Sequence, residues 1–348
     1  SDLLVRPNIE KLVPYSSARD EFSGEAHVFL DANENSLGSP IRPFYHRYPD
    51  PHQKKLKQQI QAIKGIPEKN IFLGNGSDEC IDVLLRCFCE PGLDNIIVCP
   101  PTYGMYEVSA HINNIQVVQV PLTAQFQLDL PALEAAISGN TKMIFLCSPN
   151  NPTGNSLDLQ DILVLLNNYF GLVVVDEAYI NFSRQRSLIP ELTEYPNLVI
   201  LQTLSKAWGL AGLRIGMTFC SEQIIAILNK VKPPYNINQA SQEIAGRALE
   251  HTETVNDSIR EIILERERLE QRLPSLPVVV KVFPSDANFL LVRVTQPQTI
   301  YQQLLREGIV VRDRSKAVHC QGCLRITVGT REENDLLVAA LSRCTGLL

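Results

Sequence analysis

The segment "TLSKAWGLAGLRIG", residues 203–216, places one lysine and one arginine in a run of small and apolar residues. Burying a charge among such residues is costly unless a partner compensates it or the group gives up its proton. A lysine in apolar surroundings has a lowered pKa, and its neutral amine can attack a carbonyl carbon. The segment therefore predicts a reactive amine at Lys206, with the cation of Arg214 nearby.

Short apolar runs alternate with helical patterns through the first two thirds of the chain. Alternation of this kind predicts an α/β fold, with a mostly parallel sheet and helices on both faces. Apolar residues recur at three- and four-residue spacing over 77–90, 130–138 and 158–170, which predicts helices there. The runs typical of buried strands are 70–74, 95–101, 115–121, 142–148, 172–178, 198–205 and 214–220.

The pattern changes near residue 237 and predicts a second, smaller α+β domain. One long helix is expected over 239–273, followed by a strand at 288–294 and a helix at 299–308. The strands "IVVRD" and "CLRITVG" and a final helix over 331–343 complete this order. We expect the N-terminal arm to pack on the small domain or on a dimer partner. The predicted units are the arm at 1–35, a large domain at 36–237 and a small domain at 238–348.

Composition argues against several classes of function. The chain has 348 residues, 45% hydrophobic and 20% charged, and its formal net charge of −6 gives no support to nucleic-acid binding. No apolar run approaches the roughly 20 residues that a membrane helix needs, and the first residues lack the pattern of a signal peptide. Nine scattered cysteines favour free thiols in a reducing compartment. We expect a cytoplasmic protein that contacts neither nucleic acid nor membrane.

Polar residues follow three of the predicted strands, where ligands of open α/β sheets bind. Asp176 ends the strand in "VVVDEAY", Asn151 lies in the turn "CSPNNPTGN", and Tyr103 lies in "PPTYGMY". A cap or an ordinary turn would also explain the first two, and a half-buried aromatic would explain Tyr103. The segment "GNGSDE" at 74–79 joins a strand to a helix and suits a phosphate at the helix N-terminus.

Two arginines of the smaller domain are further candidates. Arg312 and Arg325 lie in strand-like apolar runs and could clamp an anion together, although a strand arginine more often faces solvent. The cluster "HCQGC" at 319–323 lacks the additional ligands that a zinc site needs, so no metal is predicted.

Taken together, these groups match what pyridoxal 5′-phosphate (PLP) requires of a protein. A lysine can form a Schiff base with it, and an aspartate can keep its pyridine nitrogen protonated. A nearby tyrosine can hydrogen-bond its phenolic oxygen, while a helix N-terminus and an arginine can hold its phosphate.

The segment "TLSKAWGLAG" resembles the PLP-attachment motif of the class-II aminotransferases, and "SPNNPTG" and "VVVDEAY" precede it in the expected order. Nearly the whole chain resembles the histidinol-phosphate aminotransferase family, apart from Ser36, where a proline is common. The resemblance implies fold type I of the PLP-dependent transferases, a large mostly parallel sheet flanked by helices plus a smaller α+β domain. Its landmarks are "DANEN" (31–35), "RYPD" (47–50), "PPTYGMY", "SPNNPTG", "DEAY", "TLSKAWGLAGLRIG" and "GCLRITVGT" (322–330).

The resemblance implies roles at the matching positions. Lys206 would hold the cofactor and move a proton between the substrate Cα and the cofactor C4′. Asp176 would pair with the pyridine nitrogen, and Tyr179 would contact the ring oxygen. The other cofactor contacts would come from Asn151, Tyr103, Ser77, Asp78, Thr203, Ser205 and Arg214.

The same resemblance implies a homodimer with shared active sites, because Tyr48 would reach the phosphate in the partner subunit. The substrates would be histidinol phosphate and glutamate or 2-oxoglutarate, in a ping-pong cycle of L-histidine biosynthesis. Lys206 and Asp176 serve related enzymes equally, so an aromatic aminotransferase or a threonine-phosphate decarboxylase stays open, as does a non-catalytic binding protein of the same fold. The residues that would face the substrate are Tyr15, Asn33, Arg312 and Arg325.

Overall fold

The larger of two sheets forms the centre of the computed structural model, which describes residues 4–344. Its seven strands are β1 (Ile71–Asn75), β2 (Asn95–Val98), β3 (Gln116–Gln119), β4 (Thr141–Cys147), β5 (Leu172–Asp176), β6 (Leu198–Thr203) and β7 (Ile215–Phe219). Their order is β1-β7-β6-β5-β4-β2-β3. Strand β7 runs antiparallel to both neighbours, and the other pairs are parallel. The predicted mostly parallel sheet is therefore confirmed.

Both faces of this sheet are covered, which explains the continuous apolar runs of its central strands. Along β5, Val173 and Val175 pack in one core and Val174 packs in the other, as the alternation of side chains along a strand requires. The helices of this unit are α1 (Pro7–Glu10), α2 (Lys54–Lys64), α3 (Gly76–Phe88), α4 (Met105–Ile112), α5 (Leu130–Ala136), α6 (Leu159–Asn168) and α7 (Glu222–Val231). The three helices predicted from spacing correspond to α3, α5 and α6.

The smaller sheet is antiparallel, with the order β10-β11-β9-β8. Its strands are β8 (Val279–Val282), β9 (Phe289–Val294), β10 (Arg312–Asp313) and β11 (Cys323–Thr327). Helix α8 (Gln239–Ala248) precedes this sheet and packs on the large unit. The helices that accompany the small sheet are α9 (Thr252–Arg272), α10 (Pro297–Arg306) and α11 (Arg331–Ser342). The edge strand β8 was not predicted, and only the last two residues of the expected strand "IVVRD" pair with a neighbour.

The single helix predicted over 239–273 is wrong, because the chain breaks between α8 and α9. Leu249 is buried in the core of the large sheet, and His251 has non-helical angles of φ −106° and ψ 46°. Helix α8 packs on α2, where the side-chain amide of Gln59 donates to the carbonyl of Gly246 at 2.8 Å. Burial of Leu249 therefore breaks the helix, although the spacing of apolar residues continues through this point. The domain boundary near residue 237 stays a prediction.

The N-terminal arm begins on the large unit rather than on the small one, and its expected packing on a dimer partner stays a prediction. Val5 and Ile9 are buried in the core beside α3 and α7. The backbone N–H of Arg6 donates to the carbonyl of Cys87 at 3.0 Å, and its guanidinium pairs with Glu90 at 3.1 Å. Apolar residues of the arm thus complete a face of the large sheet.

The two units are joined by a buried arginine. Arg266 on α9 is 1% exposed, and its guanidinium donates to the carbonyls of Phe182 at 2.8 Å and Ala287 at 2.9 Å. Phe182 lies in the turn that follows β5, so α9 is anchored directly behind one wall of the cavity described below. Within residues 4–344, no helix is both long and apolar enough to cross a membrane.

Candidate active site

A cavity of about 760 Å³ lies where the large sheet meets the small one, at the carboxyl ends of β4, β5 and β6. Apart from Tyr15, Asn33 and Tyr48, all residues predicted to form the site line this cavity. These are Ser77, Asp78, Tyr103, Asn151, Asp176, Tyr179, Thr203, Ser205, Lys206, Arg214, Arg312 and Arg325. The structure therefore brings together residues from segments that are far apart in the sequence.

Asp176 is the most deeply buried acid of the cavity, with 3% of its surface exposed. Burial raises the pKa of this carboxyl to about 6, although two hydrogen bonds act in the opposite direction. The hydroxyl of Tyr106 donates to Oδ2 at 2.6 Å, and the backbone N–H of Ala178 donates to Oδ1 at 3.1 Å. A buried carboxylate in this setting is suited to a cationic ligand atom.

Tyr106 was missed at the level of sequence, although it belongs to the quoted segment "PPTYGMY". It is fully buried, and its ring stacks on Phe145 with the centroids 5.0 Å apart. Its position three residues after Tyr103, on the first turn of α4, is the only signal that could have placed it at the site. Its hydroxyl holds the carboxylate of Asp176 in place.

Lys206 lies in the loop after β6 and lines the cavity. Desolvation lowers the pKa of this amine, and so do the positive charges of Arg325 and Arg214. The carboxylates of Asp176 and Asp78 oppose that shift. The Nζ atom lies 5.6 Å from the ring centroid of Tyr179. Lowering of the pKa favours the neutral amine that nucleophilic or base chemistry requires.

One end of the cavity has the features of a phosphate site. Helix α3 begins at Gly76 without a side-chain cap, so its first N–H groups can meet an anion. Arg214 adopts the left-handed conformation with φ 56°, and its carbonyl accepts from the N–H of Gly76 at 2.9 Å. Its guanidinium lies 3.5 Å from the hydroxyl of Ser205. Anion-binding donors from three segments thus converge.

Gly216 allows this convergence. A Cβ atom at Gly216 would lie 2.2 Å from the backbone nitrogen of Ser77, far closer than any non-bonded contact. A Cβ at Gly76 would lie 2.6 Å from the guanidinium of Arg214. The glycines therefore let β7 and the start of α3 approach each other directly.

Two of the predicted ring contacts already hold partners within the chain. The hydroxyl of Tyr103 donates to Oδ1 of Asp78 at 2.8 Å. The carbonyl oxygen of Asn151 accepts from Nη1 of Arg325 at 2.8 Å, which leaves its amide NH₂ as the group that can donate to a ligand. The hydrogen bond between Asn151 and Arg325 also links the two units across the cavity.

The small sheet supplies a group of cations. Strand pairing places Arg312 directly opposite Arg325, and both side chains line the cavity. Arg314 and Lys316 line it as well, although neither was predicted. The sequence gives little signal for them, because they lie in an irregular segment after β10 where basic residues ordinarily face solvent.

Three residues expected at the site lie elsewhere in this subunit. Tyr15 is 75% exposed and lines a separate cavity with Asp20. Tyr48 stacks on Tyr235 with the centroids 4.5 Å apart, and Asn33 lies beside it in a third cavity. Tyr15 and Asn33 therefore do not line the cavity of their own chain, and their expected contact with the substrate stays a prediction.

The fold and the cavity define a class of enzyme, and the comparison with known families agrees. Residues 33–341 match the family "Aminotransferase class I and II", so the chain is a member of that class. Histidinol-phosphate aminotransferases are among its most similar relatives. The one from Parabacteroides distasonis is 54% identical over 97% of each chain, and the one from Cytophaga hutchinsonii is 49% identical over 98% of each chain. The chain belongs to the histidinol-phosphate aminotransferase family.

Solved structures show the same architecture. The histidinol-phosphate aminotransferase from Clostridium acetobutylicum superposes with a TM-score of 0.80 at 24% identity, covering 87% of this chain and 92% of that one. The enzyme from Sinorhizobium meliloti, in complex with pyridoxal-5′-phosphate, superposes with a TM-score of 0.78 at 25% identity, covering 86% and 83%. These similarities confirm the fold predicted from the sequence. The role of each site residue stays a prediction.

Proposed function

We propose that this protein transfers the amino group of L-histidinol phosphate to 2-oxoglutarate, giving imidazole-acetol phosphate and L-glutamate, with PLP as cofactor. The observation that carries the proposal is the placement of Lys206 and Asp176 in one cavity, between a phosphate site at α3 and the arginines of the small sheet. The family membership supports the same reaction.

The residues present fit the cofactor. The buried carboxylate of Asp176 suits a protonated ring nitrogen, and Tyr106 and Ala178 hold that carboxylate in place. Ser205, Arg214 and the uncapped start of α3 suit its phosphate, together with Ser77, Asp78 and Thr203. Bound PLP supplies an electron-withdrawing ring that stabilises negative charge at the substrate Cα.

Lys206 is the residue that we assign to proton transfer. Its amine would hold the cofactor in the resting enzyme, and during turnover it would take the proton from the substrate Cα. Because desolvation and two arginines lower its pKa, more of the amine is neutral near pH 7 than at an exposed lysine.

Arg312 and Arg325 would form one anion site that serves both substrates in turn. Histidinol phosphate carries a phosphate and no carboxylate, whereas glutamate carries two carboxylates and no phosphate. Arg325→Ala should therefore raise the apparent KM for both substrates, as measured by steady-state kinetics. An effect on glutamate alone would exclude a shared site.

A homodimer with shared active sites is part of this proposal. Tyr48 is exposed and stacks on the half-buried Tyr235 outside the cavity of its own chain, where it could reach a second copy. Mixing Lys206→Ala subunits with Tyr48→Phe subunits tests this idea, because a hybrid dimer would contain one site with neither substitution. Recovery of activity in the hybrid supports shared sites, and activity no greater than the sum of the parents refutes them.

A half-reaction titration tests the proposed activity. The PLP-loaded enzyme is mixed with histidinol phosphate or with phenylalanine, and loss of the visible absorbance of the cofactor is followed. Rapid conversion by histidinol phosphate but not by phenylalanine supports the proposal, and the reverse order points to an aromatic aminotransferase. The absorbance band itself should be lost in Lys206→Ala. Carbon dioxide release from threonine phosphate would indicate the decarboxylase alternative.

A further inference from the structure

The side of the cavity formed by the small sheet carries positive side chains that no ion pair among the described residues neutralises. Arg312, Arg314, Lys316 and Arg325 all line it. Among residues 4–344, no carboxylate lies within 4.0 Å of any of these four side chains. Like charges that converge without counter-charges repel each other, and an anionic ligand would relieve that repulsion.

Arg314 is the least compensated member of this group. Its Nε–H is buried and has no hydrogen-bond partner in the described part of the chain, and a buried donor left unpaired is costly. Burial lowers the pKa of its guanidinium, and the charges of Arg312 and Arg325 lower it further. The backbone N–H of Arg314 donates to the carbonyl of Cys323 at 3.0 Å, so the residue is tied to β11 rather than free to swing away.

Two other arginines of the cavity have hydrogen-bond acceptors within the chain. The guanidinium of Arg325 donates to Asn151 at 2.8 Å, and that of Arg214 donates to the carbonyl of Ala211 at 3.1 Å. Arg314 alone among these three keeps a buried donor without an acceptor. A ligand in the cavity can supply the acceptor that it lacks.

The number of cations indicates which ligand this is. A carboxylate carries one negative charge and two oxygens, and one or two guanidinium groups satisfy it. A phosphate monoester carries nearly two charges at pH 7 and offers three acceptor oxygens. Arg312 and Arg325 suffice for one carboxylate, and a third arginine beside them matches the additional charge and the third oxygen of a phosphate.

We propose that Arg314 is a specificity-determining residue, which donates to the phosphate group of a phosphorylated amino donor and is not required for the carboxylates of glutamate. This inference rests on the proposed function, because it assigns a phosphate monoester to the small-sheet side of the cavity.

The test compares the two half-reactions in Arg314→Gln. Loss of one charge-assisted hydrogen bond should raise the KM for histidinol phosphate about 10- to 100-fold, with little change in the limiting rate. The KM for glutamate should change by less than about threefold. Inorganic phosphate, used as a competitive inhibitor, should bind the variant more weakly by a factor similar to that for histidinol phosphate. Arg306→Gln on α10 is the matched control, because Arg306 is exposed and does not line the cavity.

An equal loss for both substrates, or no loss for either, would overturn the proposal. Arg314→Lys guards against a folding defect, since it keeps the charge and the bulk but not the planar fork of donors. Arg314→Lys should weaken the binding of histidinol phosphate but not that of glutamate, and by less than Arg314→Gln does. If both variants lose the cofactor absorbance, Arg314 is structural and the proposal fails. Failure of the proposed function looks different, because the wild-type enzyme would then not convert histidinol phosphate.

Discussion

Tyr106→Phe isolates one interaction at the proposed cofactor site, because it removes a hydroxyl and keeps the ring that stacks on Phe145. The lost hydrogen bond joins the hydroxyl to Oδ2 of Asp176 at 2.6 Å. A hydrogen bond to a buried charged group contributes about 1.5–3 kcal/mol, which equals about 1–2 pKa units. The pKa of Asp176, already raised to about 6 by burial, should therefore rise to roughly 7–8 in the variant.

The raised pKa of Asp176 determines how the stability of the folded protein depends on pH. A carboxyl whose pKa is raised in the folded state contributes most to stability below its ordinary value of 3.8, and that contribution is lost as the pH rises through about 6. In the cofactor-free protein, Tyr106→Phe should extend this loss to higher pH. Cofactor binding should show the opposite dependence, because a protonated pyridine nitrogen pairs only with ionised Asp176.

The assay is a PLP titration of the cofactor-free protein across a range of pH. A Lys206→Ala background removes the titration of the lysine from the measurement. At pH 6 the ionised fraction of Asp176 should be about 5- to 50-fold smaller in Tyr106→Phe than with tyrosine present, because the pKa rises. PLP affinity at pH 6 should therefore fall about 5- to 50-fold and recover as the pH rises.

Asp176→Asn provides the reference for that titration, because it keeps the shape of the side chain and cannot ionise. Any pH dependence that remains in Asp176→Asn belongs to the cofactor itself and is subtracted. An affinity profile for Tyr106→Phe that coincides with that of the parent would refute the assignment of Tyr106 to the ionisation of Asp176.

Two further predictions concern packing around the cavity. Gly216→Ala should lower the free energy of unfolding by about 1–3 kcal/mol or more and weaken PLP binding, because the added Cβ would push the start of α3 away. Gly212→Ala is the control, because a Cβ at Gly212 would meet no atom of the described residues within 4 Å. This control should leave urea unfolding and cofactor affinity nearly unchanged. Arg266→Ala should lower the free energy of unfolding, measured in urea, by about 2–4 kcal/mol, because two buried carbonyls lose their donor. Arg260→Ala on the exposed face of α9 is the control and should change the free energy of unfolding by less than about 0.5 kcal/mol. Equal effects of the paired variants would contradict these assignments.

The sequence allows the large sheet to be predicted because its strands are apolar on both faces and are bounded by turns. Asp176 and Lys206 could be identified for a related reason, since a charge next to a buried strand stands out. Tyr106 and Arg314 could not be identified, because their importance comes from a hydroxyl contact and an unpaired donor that only the folded chain creates. The break in the helix at Leu249 could not be predicted either, because burial in the tertiary structure causes it and the local spacing of apolar residues does not show it.

The placement of Tyr15 and Asn33 could not be inferred from one chain, whereas the resemblance already assigned Tyr48 to the site of a partner subunit. Sequence resemblance transfers a role to a position, and that role can belong to a second subunit. The structure places Tyr48 and Asn33 together, away from Lys206, and only an assembled dimer can test whether they reach another copy's cavity.

The pairing of β10 with β11 limits how this enzyme can vary during evolution. Only Arg312 and Asp313 pair there, with Arg325 and Leu324 as their partners. Because side chains alternate between the faces of a strand, inserting or deleting one residue before β10 could shift the register by one. A deletion would place Asp313 opposite Arg325 and an insertion would place Val311 there, so a carboxylate or an apolar side chain would replace a guanidinium at the anion site. Length changes in the connection from α10 should therefore be selected against far more strongly than substitutions in it.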